Sequence, residues 1–108
     1  MKTNEKMYQY YTGIDVSKKT IDVSVLSENQ KSVQHHQFAN DDSGFKAMDR
    51  WLHKQSGFRY PMTLACMEHT GLYTRLLQKH LMDHGANVWL ESSLQIKKSL
   101  GLNRGKSF

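Results

Sequence analysis

Two carboxylates stand where the surrounding pattern calls for apolar residues. Asp15 lies within "YYTGIDVSKKTIDVSVL" (residues 10–26), and Glu68 directly follows the apolar run "TLACM". Aspartate is depleted from strands, and a buried carboxylate is costly unless something pairs with it. If the two segments form neighbouring parallel strands, the acids meet at the carboxyl ends, where α/β sheets gather ligands. Two carboxylates about 4 Å apart repel by roughly 4 kcal/mol at an effective dielectric near 20. A proton, an arginine or a cation must relieve that repulsion, and neither motif contains an arginine. Hard oxygen donors with uncompensated charge suit Mg²⁺ or Mn²⁺. Such a cation polarises a phosphodiester and activates water or a hydroxyl for in-line attack. Each acid alone reads more simply as a turn or helix-cap residue; the argument for a site rests on the pair.

The elements that must hold these acids follow from periodicity. "YQYYTGIDV" is rich in aromatic and β-branched residues and predicts a first strand, with Asp15 on the face of Tyr11 and Gly13. "TIDVSVL" alternates, with Ile21, Val23 and Val25 on one face and Asp22 and Ser24 on the other. "SENQK" suits a turn and "SVQHHQFA" a third strand, so a three-stranded meander is the simplest connection. "NDDSGFKAMDRWLHKQSG" predicts a helix capped by Asn40 or Asp41 and ended by Gly57, with Phe45, Met48 and Leu52 as its apolar face. "PMTLACME" predicts a central strand opened by Pro61. "TGLYTRLLQKHLMDHG" predicts a second helix capped by Thr70, striped by Leu72, Leu76, Leu77 and Leu81, and ended by Gly85. "ANVWL" is a further strand, and "SSLQIKKSL" a third helix capped by Ser92 or Ser93. The order is β-β-β-α-β-α-β-α, an α/β mixed sheet with helices on its faces, which is the order of the ribonuclease H-like fold.

Composition bounds the rest. A chain of 108 residues without repeats or Pro/Gly-rich linkers reads as one domain. No apolar run approaches a membrane span, and "MKTNEKMYQ" lacks the apolar centre of a signal peptide, so the cytoplasm is the expected location. The single cysteine, Cys66, excludes an internal disulfide and any all-cysteine zinc site, and reads as core filler, as do the six methionines. A net charge of +5, with basic residues thickening in "IKKSLGLNRGKSF", favours polyanionic partners, nucleic acid first. Ser17, Lys18 and Lys19 beside Asp15, and Lys97, Lys98, Arg104 and Lys106 near the end, are the residues placed to contact phosphate. His80 and His84 are four apart on the second helix, but no third ligand is evident in the sequence. His35 and His36 face opposite ways in a strand, which argues against joint ligation. Glu91 follows the last strand and could reach the same edge, though the start of the third helix explains it equally well.

"YTGIDVSKKTIDVSVL", then "FANDDSGF", "WL" and "MEHTGLYTRLL", in that order, resemble the DEDD transposases of bacterial insertion sequences, the Piv/MooV-type recombinases of insertion-sequence family one-ten. "GIDVSK" alone is a weak signal; with "MEHTG" at this separation it is a specific one. The resemblance implies a RuvC-like, ribonuclease H-like domain with four acids that bind divalent metal, Mg²⁺ or Mn²⁺, for DNA strand cleavage and transfer during transposition. Asp15 matches the first acid and Glu68 the second. The other two belong to a family pattern K-T-D-x-x-D-A, which "RGKSF" begins at Arg104, Lys106 and Ser107; Phe108 stands in the place of the third acid. Residues 1–108 therefore read as the N-terminal part of a truncated transposase domain, incomplete at its C-terminus, that binds metal weakly. DNA and a guide RNA are the implied partners, and a homo-oligomer is expected from apolar surface left uncovered. Two rivals remain: an actin- or sugar-kinase-like nucleotide-binding domain, and a non-catalytic nucleic-acid-binding and oligomerisation module.

Overall fold

Alternation in the first three strands sets the sheet. In β1 (Tyr10–Val16), Tyr10, Thr12 and Ile14 are buried while Asp15 is exposed. In β2 (Thr20–Ser27), Ile21, Val23 and Val25 are buried and their neighbours are not. β3 (Val33–Ala39) is the polar strand at the edge of the sheet, with only Phe38 buried, a composition that blunts edge-to-edge pairing. The three strands pair as an antiparallel meander. These positions come from a computed structural model, which describes residues 8–27, 33–68 and 73–91.

After α1 (Asp42–Leu52) the chain returns through a one-turn 3-10 helix (Tyr60–Met62) into β4 (Thr63–Glu68), which lies parallel to β1. α2 (Arg75–Asp83) then leads to β5 (Asn87–Glu91), parallel to β4. The sheet order is β3-β2-β1-β4-β5. Phe45, Met48 and Leu52 of α1 and Leu77 and Leu81 of α2 pack into one core with Tyr10, Ile14, Ile21, Val23, Val25, Ala65 and Met67. The opposite face carries a separate small cluster, Cys66 with Tyr11, Leu64 and Trp89. Both described helices thus cover the same side of the sheet.

Asp41 caps α1: its carboxylate accepts from the Gly44 N–H at 2.8 Å and the Ser43 hydroxyl at 2.9 Å. Those bonds, the Gly44 N–H first, hold its pKa below the usual carboxylate value. Gly44 itself is required by close approach, because a Cβ there would sit 1.8 Å from the Ala39 carbonyl oxygen.

The structure corrects several local expectations. α1 ends at Leu52, and Gly57, which does take a left-handed φ of 69°, closes a later turn instead. Pro61 lies in the 3-10 turn before β4, where its missing N–H costs no ladder bond. α2 starts after Thr74 without a side-chain cap, and Leu76 is 67% exposed, off the buried stripe of Leu77 and Leu81. Gly85 does end the second helical segment, at φ 96°. Met48 and Met67 are core residues, but Met82 is exposed. Thr70, Leu72 and the third helix from Ser92 or Ser93 lie outside the described residues.

Two predictions follow from this packing. Gly44→Ala is predicted to destabilise the fold by about 3 kcal/mol or more, because only backbone stands in the way of the new methyl; urea denaturation measures it. Burial pushes the Cys66 thiol up to about 11 from an ordinary 9.0. The folded state therefore keeps its proton where the unfolded chain has lost it, and stability should fall as pH rises from 9.0 towards about 11. Urea midpoints across that window should decline more in wild type than in Cys66→Ala.

Candidate functional site

The register of the strands aligns acids into a row. β1 and β4 pair from Tyr10 with Thr63 to Ile14 with Met67, so Asp15 and Glu68 occupy the next position at the carboxyl ends of adjacent parallel strands. Asp15 faces Asp22 across the antiparallel pair of β1 and β2. Glu68 is in register with Glu91 of β5. Asp22, Asp15, Glu68 and Glu91 therefore succeed one another across four strands. Their positions belong to the face away from both helices, the face of Tyr11, Gly13, Leu64 and Cys66.

The acids in this row are not equivalent. Asp22 accepts a 3.0 Å hydrogen bond from the Gln37 side-chain amide and has His35 Nε2 at 3.9 Å, so β3 supplies its partners. Asp15 is exposed and Glu68 half-buried, and neither has a hydrogen-bond or ion-pair partner among the described residues. Like charges directly opposite in a sheet destabilise it. An oxygen-only pair without an arginine is chemically suited to a hard divalent cation.

Loops around this edge are tied to one another. The Ser17 N–H donates to the Thr20 carbonyl at 2.9 Å, and the Ser17 hydroxyl bonds to the same carbonyl at 3.0 Å, closing the turn that presents exposed Lys18 and Lys19. Asn40 joins three segments: its side-chain amide donates to the carbonyls of Ser17 at 2.9 Å and Tyr73 at 3.1 Å, and its N–H donates to the Lys19 carbonyl at 2.8 Å. Asn40 was one of two candidates for the helix cap; Asp41 takes that place and Asn40 organises the edge. Lys97, Lys98, Arg104 and Lys106 lie outside the described residues.

Three features escaped the sequence. Asp22 reads only as the polar half of an alternating strand, and its pairing with Asp15 needs the hairpin register. The role of Asn40 needs the fold. Asp49 of α1 supplies the third potential ligand that His80 and His84 lacked. Nothing in sequence spacing links Asp49 to α2; the signal is a polar residue next to the apolar face of Met48 and Leu52.

A model of a transposase family, the DEDD type of the IS110 group, matches residues 12–107. No curated protein matches. Among solved structures the chain is similar to a Bacteroides thetaiotaomicron protein with an actin-like ATPase fold and unknown function, at TM-score 0.58 and 15% identity over 89% of this chain and 39% of that one. It is also similar to YeaZ from Pseudomonas aeruginosa, at TM-score 0.53 and 13% identity over 86% of this chain and 50% of the other. The chain thus spans half or less of the length of these two structures. At such identities the likeness is one of fold alone, that of a mixed α/β sheet.

The row predicts a test of whether Asp15 is structural. Neutralising it in Asp15→Asn should stabilise the metal-free protein by about 0.5 kcal/mol through relief of like charge, seen as a higher Tm at low salt and a smaller gain at high salt. A carboxylate needed for folding would give a loss instead.

Proposed function

The chain belongs to the DEDD transposase family of the IS110 group, and on that premise we propose that it is the N-terminal catalytic part of a transposase acting in metal-dependent DNA cleavage and strand transfer. The observation that carries this reading is the pair Asp15 and Glu68, which both follow the Ile14–Met67 pair on adjacent parallel strands and have no partners among the described residues. In it, Asp15 and Glu68 are the first two metal-binding acids, with Asp22 and Glu91 next in the row. Mg²⁺ or Mn²⁺, when bound, would polarise the scissile phosphodiester. Ser17, Lys18 and Lys19 would hold the DNA backbone against that edge, joined by Lys97, Lys98, Arg104 and Lys106. The strand order β3-β2-β1-β4-β5 supports a ribonuclease H-like, RuvC-like assignment within this architecture. A guide RNA and self-association belong to the same proposal.

A second reading, nucleotide binding, is favoured by the likeness to an actin-like ATPase fold. A phosphate-binding turn between β1 and β2 needs small residues and free amides. Here the turn is Ser17-Lys18-Lys19, and the Ser17 N–H is already donated to Thr20. Measurable ATP binding by the chain would reverse the preference.

The test is a cation titration followed by thermal unfolding. Mg²⁺ and Mn²⁺ should raise the Tm with weak affinity, and Asp15→Asn and Glu68→Gln should each abolish the rise; an unchanged rise in both variants rejects the site. Two carboxylates supply only part of a two-metal cage. The 108-residue chain by itself is therefore predicted neither to cleave nor to join DNA with Mn²⁺. It should bind duplex DNA weakly, with affinity falling steeply as salt rises, as fluorescence anisotropy at several ionic strengths would measure.

A further inference from the structure

At the opposite edge of the sheet, before the amino ends of β4 and β5, three side chains converge from both helices. Asp49 comes from α1, His80 from α2, and His84 caps the C-terminus of α2. One donor atom of each lies within 4.8 Å of the others. We propose that Asp49, His80 and His84 form a binding site for a borderline transition-metal ion, Zn²⁺ by preference, that clamps α1 to α2.

The local geometry carries this assignment. His80 Nε2 is 3.0 Å from both oxygens of Asp49. Ligands on a tetrahedral Zn²⁺ with bonds near 2.0 Å are roughly 3.3 Å apart, so this pair already has almost the spacing of two vertices. His84 Nδ1 donates to the His80 carbonyl at 2.7 Å, which fixes the neutral ring in the tautomer with a free lone pair on Nε2. A backbone carbonyl holding the far nitrogen is the usual support of a metal-bound histidine. The Tyr60 hydroxyl donates to Asp49 Oδ1 and orients the carboxylate in the same way. The His80 and His84 rings lie 4.3 Å apart between centroids, tilted at 34° to each other.

Burial grades across the cluster. The side chains of His80 and Asp49 are 13% and 21% exposed, and His84 is exposed. The ion would be reached from the solvent side at His84, with water in the fourth position. When it binds, the His80 ring proton moves to Nδ1 and Nε2 turns to the metal. Two imidazoles and a single carboxylate favour Zn²⁺, Ni²⁺ or Co²⁺ over Mg²⁺. The cluster is therefore chemically distinct from the all-oxygen row at the other edge.

The experiment uses the 108-residue chain without a histidine tag, stripped with chelator. Zn²⁺ at a hundredfold excess over its Kd should raise the Tm by roughly 10 °C or more, and Co²⁺ should give the visible bands of a tetrahedral nitrogen–oxygen site. His84→Ala, an exposed position that leaves the His80–Asp49 contact intact, should weaken Zn²⁺ binding at least tenfold and remove the Co²⁺ bands. His35→Ala serves as a control and should retain both, and Mg²⁺ should not substitute. Equal Zn²⁺ binding by wild type and His84→Ala, or none by wild type at micromolar metal, overturns the proposal and leaves His80–Asp49 as a metal-free pin between the helices.

Discussion

The parallel pairing of β1 with β4 is the constraint on which the rest of the molecule depends. Ile14 and Met67, in register, are more than fifty residues apart in sequence, and everything between them must be folded away for the two to meet. The meander of β2 and β3 extends the sheet on one side, and α1 crosses back over it, burying Phe45, Met48 and Leu52 against Ile21, Val23 and Val25. Because β1 and β4 run the same way, their carboxyl ends share one edge. Asp15 and Glu68 follow directly from that. An antiparallel arrangement would have sent the two acids to opposite ends of the sheet.

That pairing also imposes an electrostatic load. Four acidic positions succeed one another across β2, β1, β4 and β5, and among the described residues Asp22 has neighbours suited to relieve it, Gln37 and His35 on β3. The helix-covered face carries the hydrophobic stabilisation, with Met48, Met67 and Leu77 fully enclosed. The larger core therefore lies on one side of the sheet, while the other carries the small Cys66 cluster and the acidic row. A domain can tolerate strain at a functional edge only when packing elsewhere offsets it.

Much of this was legible in the sequence, and for stated reasons. Asp15 and Glu68 were visible because each breaks an apolar run whose period is otherwise plain. The strands, with Ile21, Val23 and Val25 buried together, came from period-two alternation. The faces of both helices came from helical spacing, except that Leu76 sits on the solvent side: four leucines within ten positions look continuous, but α2 begins only at Arg75 and turns Leu76 outward. Helix ends were harder, since Gly57 takes the expected left-handed conformation five residues beyond the last turn of α1. What could not be read was long-range polar pairing. Asp22 opposite Asp15, Asn40 beneath the turn, and Asp49 against His80 all depend on which elements become neighbours. The family likeness was legible too, in motifs that occur in a fixed order.

Asn40 ties together segments that lie far apart in sequence. Its side-chain amide holds the turn after β1 and the approach to α2, while its main chain holds Lys19. Its side-chain oxygen is buried without a partner among the described residues, so the amide contributes as a donor alone. One NH2 group supplies both hydrogens, so the Ser17 and Tyr73 segments are tethered to the same side chain. Moving either segment away loses one tie to Asn40, so this side chain adds a local cost to opening the Ser17–Thr20 turn or the Tyr73 segment. A single carboxamide thereby links the turn after β1 to the chain entering α2.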